Sequence, residues 1–195
     1  METPETPRRV IRVDAELTLR AYQPADLPEL RKVVEESLDH LVPWMPWASD
    51  DTPERTAEFV DSRAEKWENG TDYTYAIVLD GAIAGSTGLF RREGDPAERR
   101  EIGYWLHPAA TGRGVVSRAA RALTVEAFRL PEVAYVEIVH DDANRASGAV
   151  PARLGFTDLG TVPSEKLAPA DTGADRHWRL TRDQLPTLTG TSPQG

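Results

Sequence analysis

Residues 111 to 117 read TGRGVVS and stand between a strand-like run, REIGYWLH (100 to 107), and a helical pattern that reaches residue 130. No other stretch limits the fold as much, because a strand must feed a tight glycine turn and the turn must feed a helix. Gly112 and Gly114 let the backbone turn sharply and come close to a ligand. The first amides of the helix point outward without intrahelical partners, and Arg113 and Arg118 add positive charge, so the junction is suited to a pyrophosphate. It is not a P-loop, since no Gly-Lys-Ser/Thr follows, and it lacks the three-glycine spacing of the dinucleotide fingerprint. Taken alone, the same residues also describe an ordinary turn and a capped helix with surface arginines.

The flanking patterns extend this junction into a sheet. LTLRAY (17 to 22) alternates like a half-buried strand, and Pro24, Ala25 and Asp26 open a helix whose Leu27, Leu30, Val34, Leu38 and Leu41 form one apolar stripe. HLVPWMPWAS (40 to 49) follows, where Pro43 and Pro46 are expected to prevent a helix and Trp44 and Trp47 need a wall or a ligand to lean on. Thr52-Pro53-Glu54 starts a second helix that runs to about Asn69 and is closed by Gly70. YTYAIVL (73 to 79) and AIAGSTGLF (82 to 90) are joined by Asp80-Gly81, a hairpin dipeptide, and REIGYWLH completes a meander. Val116, Ala119, Ala120, Leu123, Ala127 and Phe128 recur at helical spacing after the glycine turn. VAYVEIVH (133 to 140) reads as a buried strand. NRASGAVPARLGF (144 to 156) reads as a short helix capped by Asn144, stopped by Gly155 and deprived of a hydrogen bond at Pro151. FTDLGTV (156 to 162) and RHWRLTR (176 to 182) supply the last strands. The order predicts an α/β (α+β) domain, one mixed and mostly antiparallel sheet flanked by helices. The expected layout is a flexible N-terminus (1–10), one domain (11–184) and a flexible tail (185–195).

Composition narrows the function. The apolar fraction of 39% and charged fraction of 28% describe a chain that folds alone. With no cysteine there is neither a disulfide framework nor a thiolate site, which suits a reducing compartment, and the expectation is cytoplasmic. METPETPRRVIRV has no signal-peptide core and no run is long and apolar enough to span a bilayer, so no membrane role is expected. A formal charge of −9 repels phosphate backbones and makes nucleic acid a poor partner, while a cationic acceptor is favoured. His40, His107, His140 and His177 lack paired ligand spacing, so no metal is expected.

About one strand beyond the glycine turn comes Asn144-x-x-Ser147, ending in Leu154-Gly155-Phe156. Together with LTLRAYQPADLPEL, LVPWMPW, EIGYWLHP and TGRG, in this order over roughly residues 17 to 182, it resembles the GNAT superfamily of acyl-CoA-dependent N-acetyltransferases, most closely its RimJ/RimL branch. The resemblance implies the GNAT fold with splayed central strands, acetyl-CoA as co-substrate and no metal. It implies that the strand through Gly103 to Leu106 parts from its neighbour, so that freed amides face the thioester and Trp105 and Leu106 line the cofactor. Gly112, Arg113, Gly114, Val115, Val116, Ser117 and Arg118 would take the pyrophosphate. Thr111 stands where the usual signature has Gln or Arg, and Val116 where it has Gly or Ala, so a β-branched side chain is expected to crowd the turn.

Asn144 would bind the pantetheine arm or the acceptor side, and Ser147 would give a proton to the departing thiolate, a mild demand for a thiol of pKa near 8.5. Glu101 is the candidate base, with a solvated edge carboxylate as the alternative, and Tyr104 is a second candidate acid beside an ordinary sheet role. Trp44, Met45 and Trp47 would wall the acceptor cleft, with one Trp in the core and one in the cleft as the favoured arrangement. The acceptor implied is a protein or peptide N-terminal amine. A small amine (aminoglycoside, polyamine or amino acid) is the second reading, and a non-catalytic acyl-CoA-binding module the third. Homodimers are frequent among the proteins it resembles.

Overall fold

The computed structural model describes residues 6–189. One eight-stranded sheet runs through it, with strands β1 (Val10–Arg12), β2 (Leu17–Ala21), β3 (Asp72–Leu79), β4 (Ala82–Phe90), β5 (Arg99–Leu106), β6 (Tyr135–Asp141), β7 (Thr157–Pro163) and β8 (Ala174–Thr181). Their spatial order is β1-β2-β3-β4-β5-β6-β8-β7. Every adjacent pair is antiparallel except β5 and β6, which the helix after the glycine turn connects as a parallel pair. Asp80 (φ 52°) and Gly81 (φ 85°) make the β3–β4 hairpin, both in the left-handed region that such a turn requires.

The helices are α1 (Leu27–Leu41), α2 (Pro46–Ser49), α3 (Pro53–Glu68), α4 (Val115–Ala127), α5 (Arg145–Arg153) and α6 (Leu185–Thr189). Thr52 caps α3 by accepting the Arg55 N–H at 3.3 Å. On one face of the sheet, α4 buries Val115, Ala119, Ala120, Leu123 and Ala127 against Ile102, Leu106, Val136 and Ile138. On the other, α1 and α3 bury Leu30, Val34 and Val60 against Ala76 and Ile83, with Trp105 packed at the margin. Alternation along each strand decides which residues meet which layer.

Two sequence expectations change. Pro46 does not prevent a helix but opens one, occupying the first position of α2, where its missing N–H costs nothing. The N-terminal segment assigned to a flexible arm is anchored from residue 8 onward. Glu126 of α4 has a fully buried side chain, and its carboxylate accepts from the Arg8 backbone N–H (2.6 Å), Nε (2.9 Å) and Nη2 (2.7 Å). A buried carboxylate needs a partner, and the arm supplies it. Residues 1–5 of the arm and 190–195 of the tail lie outside the described residues, while the start of the tail forms α6 with Leu188 buried.

Candidate active site

β5 and β6 pair over only three positions, Arg99↔Tyr135, Arg100↔Val136 and Glu101↔Glu137. Beyond Glu101 the strands part, while β5 keeps its antiparallel register with β4 as far as Gly85↔Leu106. Main-chain groups alternate in direction along a strand. The Glu98 carbonyl accepts from Tyr135 N–H on the β6 side, and the His107 N–H donates to Ala84 on the β4 side. It follows that Ile102, Tyr104 and Leu106 turn their amides into the gap, whereas Gly103 and Trp105 turn theirs to β4. The Gly103 carbonyl indeed accepts the Thr87 hydroxyl at 2.9 Å. The Leu106 backbone amide therefore faces the gap, and that of Trp105 faces β4. The Trp105 side chain lies on the α1 face, 5.9 Å from the ring of Trp47.

The pairing ends at a buried charge network. Arg99 donates to Glu137 (2.7 Å), Asp95 (2.6 Å) and Glu101 (2.9 Å), Arg179 donates to Glu137 (2.7 Å), and Arg92 donates to the other Glu101 oxygen (2.9 Å). Burial alone would push the Glu137 carboxyl up, but the Arg99 and Arg179 guanidiniums hold it below its ordinary 4.5. Glu101 is buried, not a solvated edge carboxylate, and each of its oxygens already accepts from a guanidinium.

At the open end of the gap lies the glycine turn. Gly112 (φ 74°) and Gly114 (φ 68°) are both left-handed, and a Cβ on either would meet nothing within 4 Å. Conformation, not crowding, demands glycine there, and the space before the turn is open to an anion. The amides of Val115, Val116 and Ser117 precede the first α4 bond, Arg118 N–H to the Gly114 carbonyl at 3.1 Å. Val116 is partly buried, with its side chain packed against the core. Thr111 turns its hydroxyl back to the Pro108 carbonyl at 2.7 Å. Both arginines lean on carboxylates of the neighbouring turns: Arg118 on Asp14 (2.5 Å) and Glu16 (2.9 Å), Arg113 on Glu16 (3.1 Å) and Asp80 (3.2 Å). That acidic side was not visible in the sequence, because Asp14 and Glu16 are about a hundred residues away from the turn they touch.

On the α5 face, Tyr104 and Ser147 come together. The Tyr104 hydroxyl donates to the Ser147 carbonyl at 3.0 Å and lies 3.1 Å from Ser147 Oγ. Pro151 explains the free carbonyl: it stands four residues after Ser147 and has no N–H to give back, so the helix leaves that acceptor to Tyr104. Burial, offset in part by the Ser147 bond, pushes the Tyr104 phenol up to about 12, so it stays a donor at neutral pH. Asn144 caps α5 by accepting the Ser147 N–H at 3.1 Å, which fixes the first turn. On the opposite face Trp44 and Met45 are half-buried and Trp47 is exposed, and the Pro43 carbonyl accepts the Ala170 N–H at 2.9 Å, joining the Trp segment to the loop before β8. Among the described residues no group of three or more His, Asp or Glu could hold a metal ion, and no helix is long and apolar enough to cross a membrane.

A parallel pair that parts beside a glycine turn, with backbone amides facing the gap, is the arrangement that the resemblance to acyl-CoA-dependent acyltransferases implies. The chain belongs to the Acetyltransferase (GNAT) domain family, which matches residues 16–157, and by that class it is an acetyl-CoA-dependent N-acetyltransferase. It is 28% identical over 156 residues to the putative ribosomal N-acetyltransferase YdaF of Bacillus subtilis (strain 168), covering 76% of this chain and 82% of the relative. Among solved structures it is similar to the RimL ribosomal L7/L12 alpha-N-protein acetyltransferase in complex with coenzyme A, with TM-score 0.82, 24% identity, and 89% of this chain and 98% of that one covered. RimJ of Mycobacterium smegmatis, in complex with a CoA disulfide, gives TM-score 0.79 at 20% identity, covering 94% and 90%. These structural likenesses establish the fold.

Proposed function

We propose that the chain acetylates the α-amine of a protein or peptide N-terminus by direct attack on acetyl-CoA. The observation that carries this reading is the gap that opens after Glu101↔Glu137, with the glycine turn at its end, Ser147 and Tyr104 on one face and the Trp47–Trp105 wall on the other. The names of the relatives, which are ribosomal-protein N-acetyltransferases, support the acceptor class.

Acetyl-CoA supplies the thioester, and the residues that would hold it are the amides of Gly112 to Ser117 for the pyrophosphate and those of Tyr104 and Leu106 along the gap. Donors placed at the gap before reaction stabilise developing negative charge without reorganising. The Ser147 hydroxyl, placed by the Asn144 cap and by Tyr104, gives its proton to the leaving sulfur and regains one from water, while the nitrogen acylated by attack on the thioester loses its surplus proton to water. An α-amine of pKa about 7.7 to 8.0 is already partly neutral near pH 7.5 and needs little basic help. Glu101 enters as the charge that pins the start of the gap, because both oxygens are engaged. Trp47, its ring 5.9 Å from that of Trp105, would give the acceptor side an apolar wall, with half-buried Trp44 and Met45 in the same segment.

The second copy in a homodimer would meet β7, the edge strand, which exposes Leu159 and Val162. The cytosol is the compartment we assign, on the absence of cysteine. The test is thiol release from acetyl-CoA with peptides of free and blocked N-termini. Release that tracks the free α-amine supports the reading, and release that requires only a small polyamine moves the acceptor to the small-amine class.

A further inference from the structure

The first turn of α5 lies over the gap and rests on one ring from each parted strand. From β5, Tyr104 holds Ser147 by its carbonyl and hydroxyl. From β6, His140 lies beneath Gly148. A Cβ at 148 would sit 2.8 Å from both Cε1 and Nε2 of that ring, so a side chain there would have to lift the helix or displace the imidazole. The ring is buried, and both nitrogens are engaged. Nδ1 is 2.7 Å from the Asp141 carbonyl, and the Trp178 indole N–H reaches Nε2 at 3.0 Å. A carbonyl only accepts and an indole N–H only donates. Both bonds are satisfied together by one state, the neutral imidazole with its proton on Nδ1.

Trp178 comes from β8, opposite Ile138 of β6, so the neighbouring strand helps to fix the ring on which the helix sits. β5 and β6 share no register at this level, and the start of α5 is what spans them. The height of the ring under Gly148 therefore sets where the Ser147 hydroxyl stands relative to Tyr104.

We propose that His140, locked as the Nδ1–H tautomer between the Asp141 carbonyl and the Trp178 indole, is a positioning residue that seats Ser147 at the gap. It exchanges no proton in this role. The proposal rests on Ser147 as the proton donor, as argued above, and its test separates the two. Steady-state thiol release is measured with acetyl-CoA and a peptide amine for wild type, H140L, H140Q, S147A and the H140L/S147A double variant. Gln offers an acceptor to the indole where Nε2 stood, while Leu keeps only bulk. Since small misplacements of a reacting group cost rate more than binding, H140L should lower kcat about tenfold with KM for acetyl-CoA changed less than about twofold. H140Q should recover to within about threefold of wild type, and H140L should cost nothing further in the S147A background, because residues acting as a unit do not add. An equal loss with and without the Ser147 hydroxyl, or a loss confined to KM, would overturn the proposal. Nitrogen NMR shifts of the His140 ring in the wild-type protein decide the tautomer whether or not an acceptor has been found: a proton on Nδ1 is expected, and a proton on Nε2 contradicts the proposal.

Discussion

At Ser147 a proline four residues away decides what a serine can do. Pro151 removes the donor that would have closed the helix on the Ser147 carbonyl, and Tyr104 takes its place. The sequence shows that a hydrogen bond is missing, but not who replaces it, since Tyr104 is brought there by the parting of two strands. Thiolate departure needs only a mild acid, so Ser147→Ala should lower kcat by roughly tenfold to a hundredfold and leave the Kd for acetyl-CoA unchanged, as measured by pre-steady-state thiol release and calorimetry. A loss in Kd alone would make Ser147 a binding residue. Glu101 illustrates the opposite limit of legibility. Its place on the strand was readable, but its two guanidinium partners, Arg92 and Arg99, were not, and they change its expected part. Glu101→Gln should lower stability by about 1–3 kcal/mol, in keeping with a buried polar network left partly unmatched. It should leave the shape of the pH–rate profile intact, whereas disappearance of an acidic limb in that variant would restore Glu101 as the base.

Among the elements, α4 was the most legible, because its apolar stripe and the glycines before it are both local. Its Leu123 is fully buried, and Leu123→Ala should cost about 2–5 kcal/mol in urea unfolding, as cavities in a well-packed core do. The polar side of the same helix was hidden. Glu126 stands in the sequence as one more helical carboxylate, yet it is buried and satisfied by Arg8, whose position 118 residues earlier gives no sign of the pairing. Arg8→Ala removes the guanidinium but leaves the Arg8 backbone N–H (2.6 Å) and Arg129 (3.4 Å) on the carboxylate, so it should destabilise by about 1–2 kcal/mol, and Arg8→Ala with Glu126→Leu should recover much of that. If the double variant is no more stable than Arg8→Ala, the arm contributes by something other than that charge. The short helix α2 escaped the sequence because proline reads as a breaker unless one knows that it stands first.

For the molecule as a whole, most elements and the β3–β4 hairpin follow from local patterns, but β1, the seat of β8 between β6 and β7, and the place of the gap, set by where β5 and β6 stop pairing, are long-range properties of the sheet. The charges at that point make stability depend on pH. Glu137 has a folded pKa depressed below its ordinary 4.5, so its contribution is present above that value and is lost as pH falls through the folded pKa. Urea midpoints should hold steady near neutrality and drop below about pH 4.5, and Glu137→Gln should flatten part of that drop. A midpoint that falls instead between neutrality and pH 6 would place the controlling charge elsewhere. The central claim, that the gap presents acetyl-CoA to an N-terminal amine, is tested most directly by following thiol release with two peptides. One has a free α-amine and no lysine, and the other has a blocked α-amine and one lysine. The account predicts release and a one-acetyl mass gain for the first peptide alone; turnover of the second, or of neither, would contradict it.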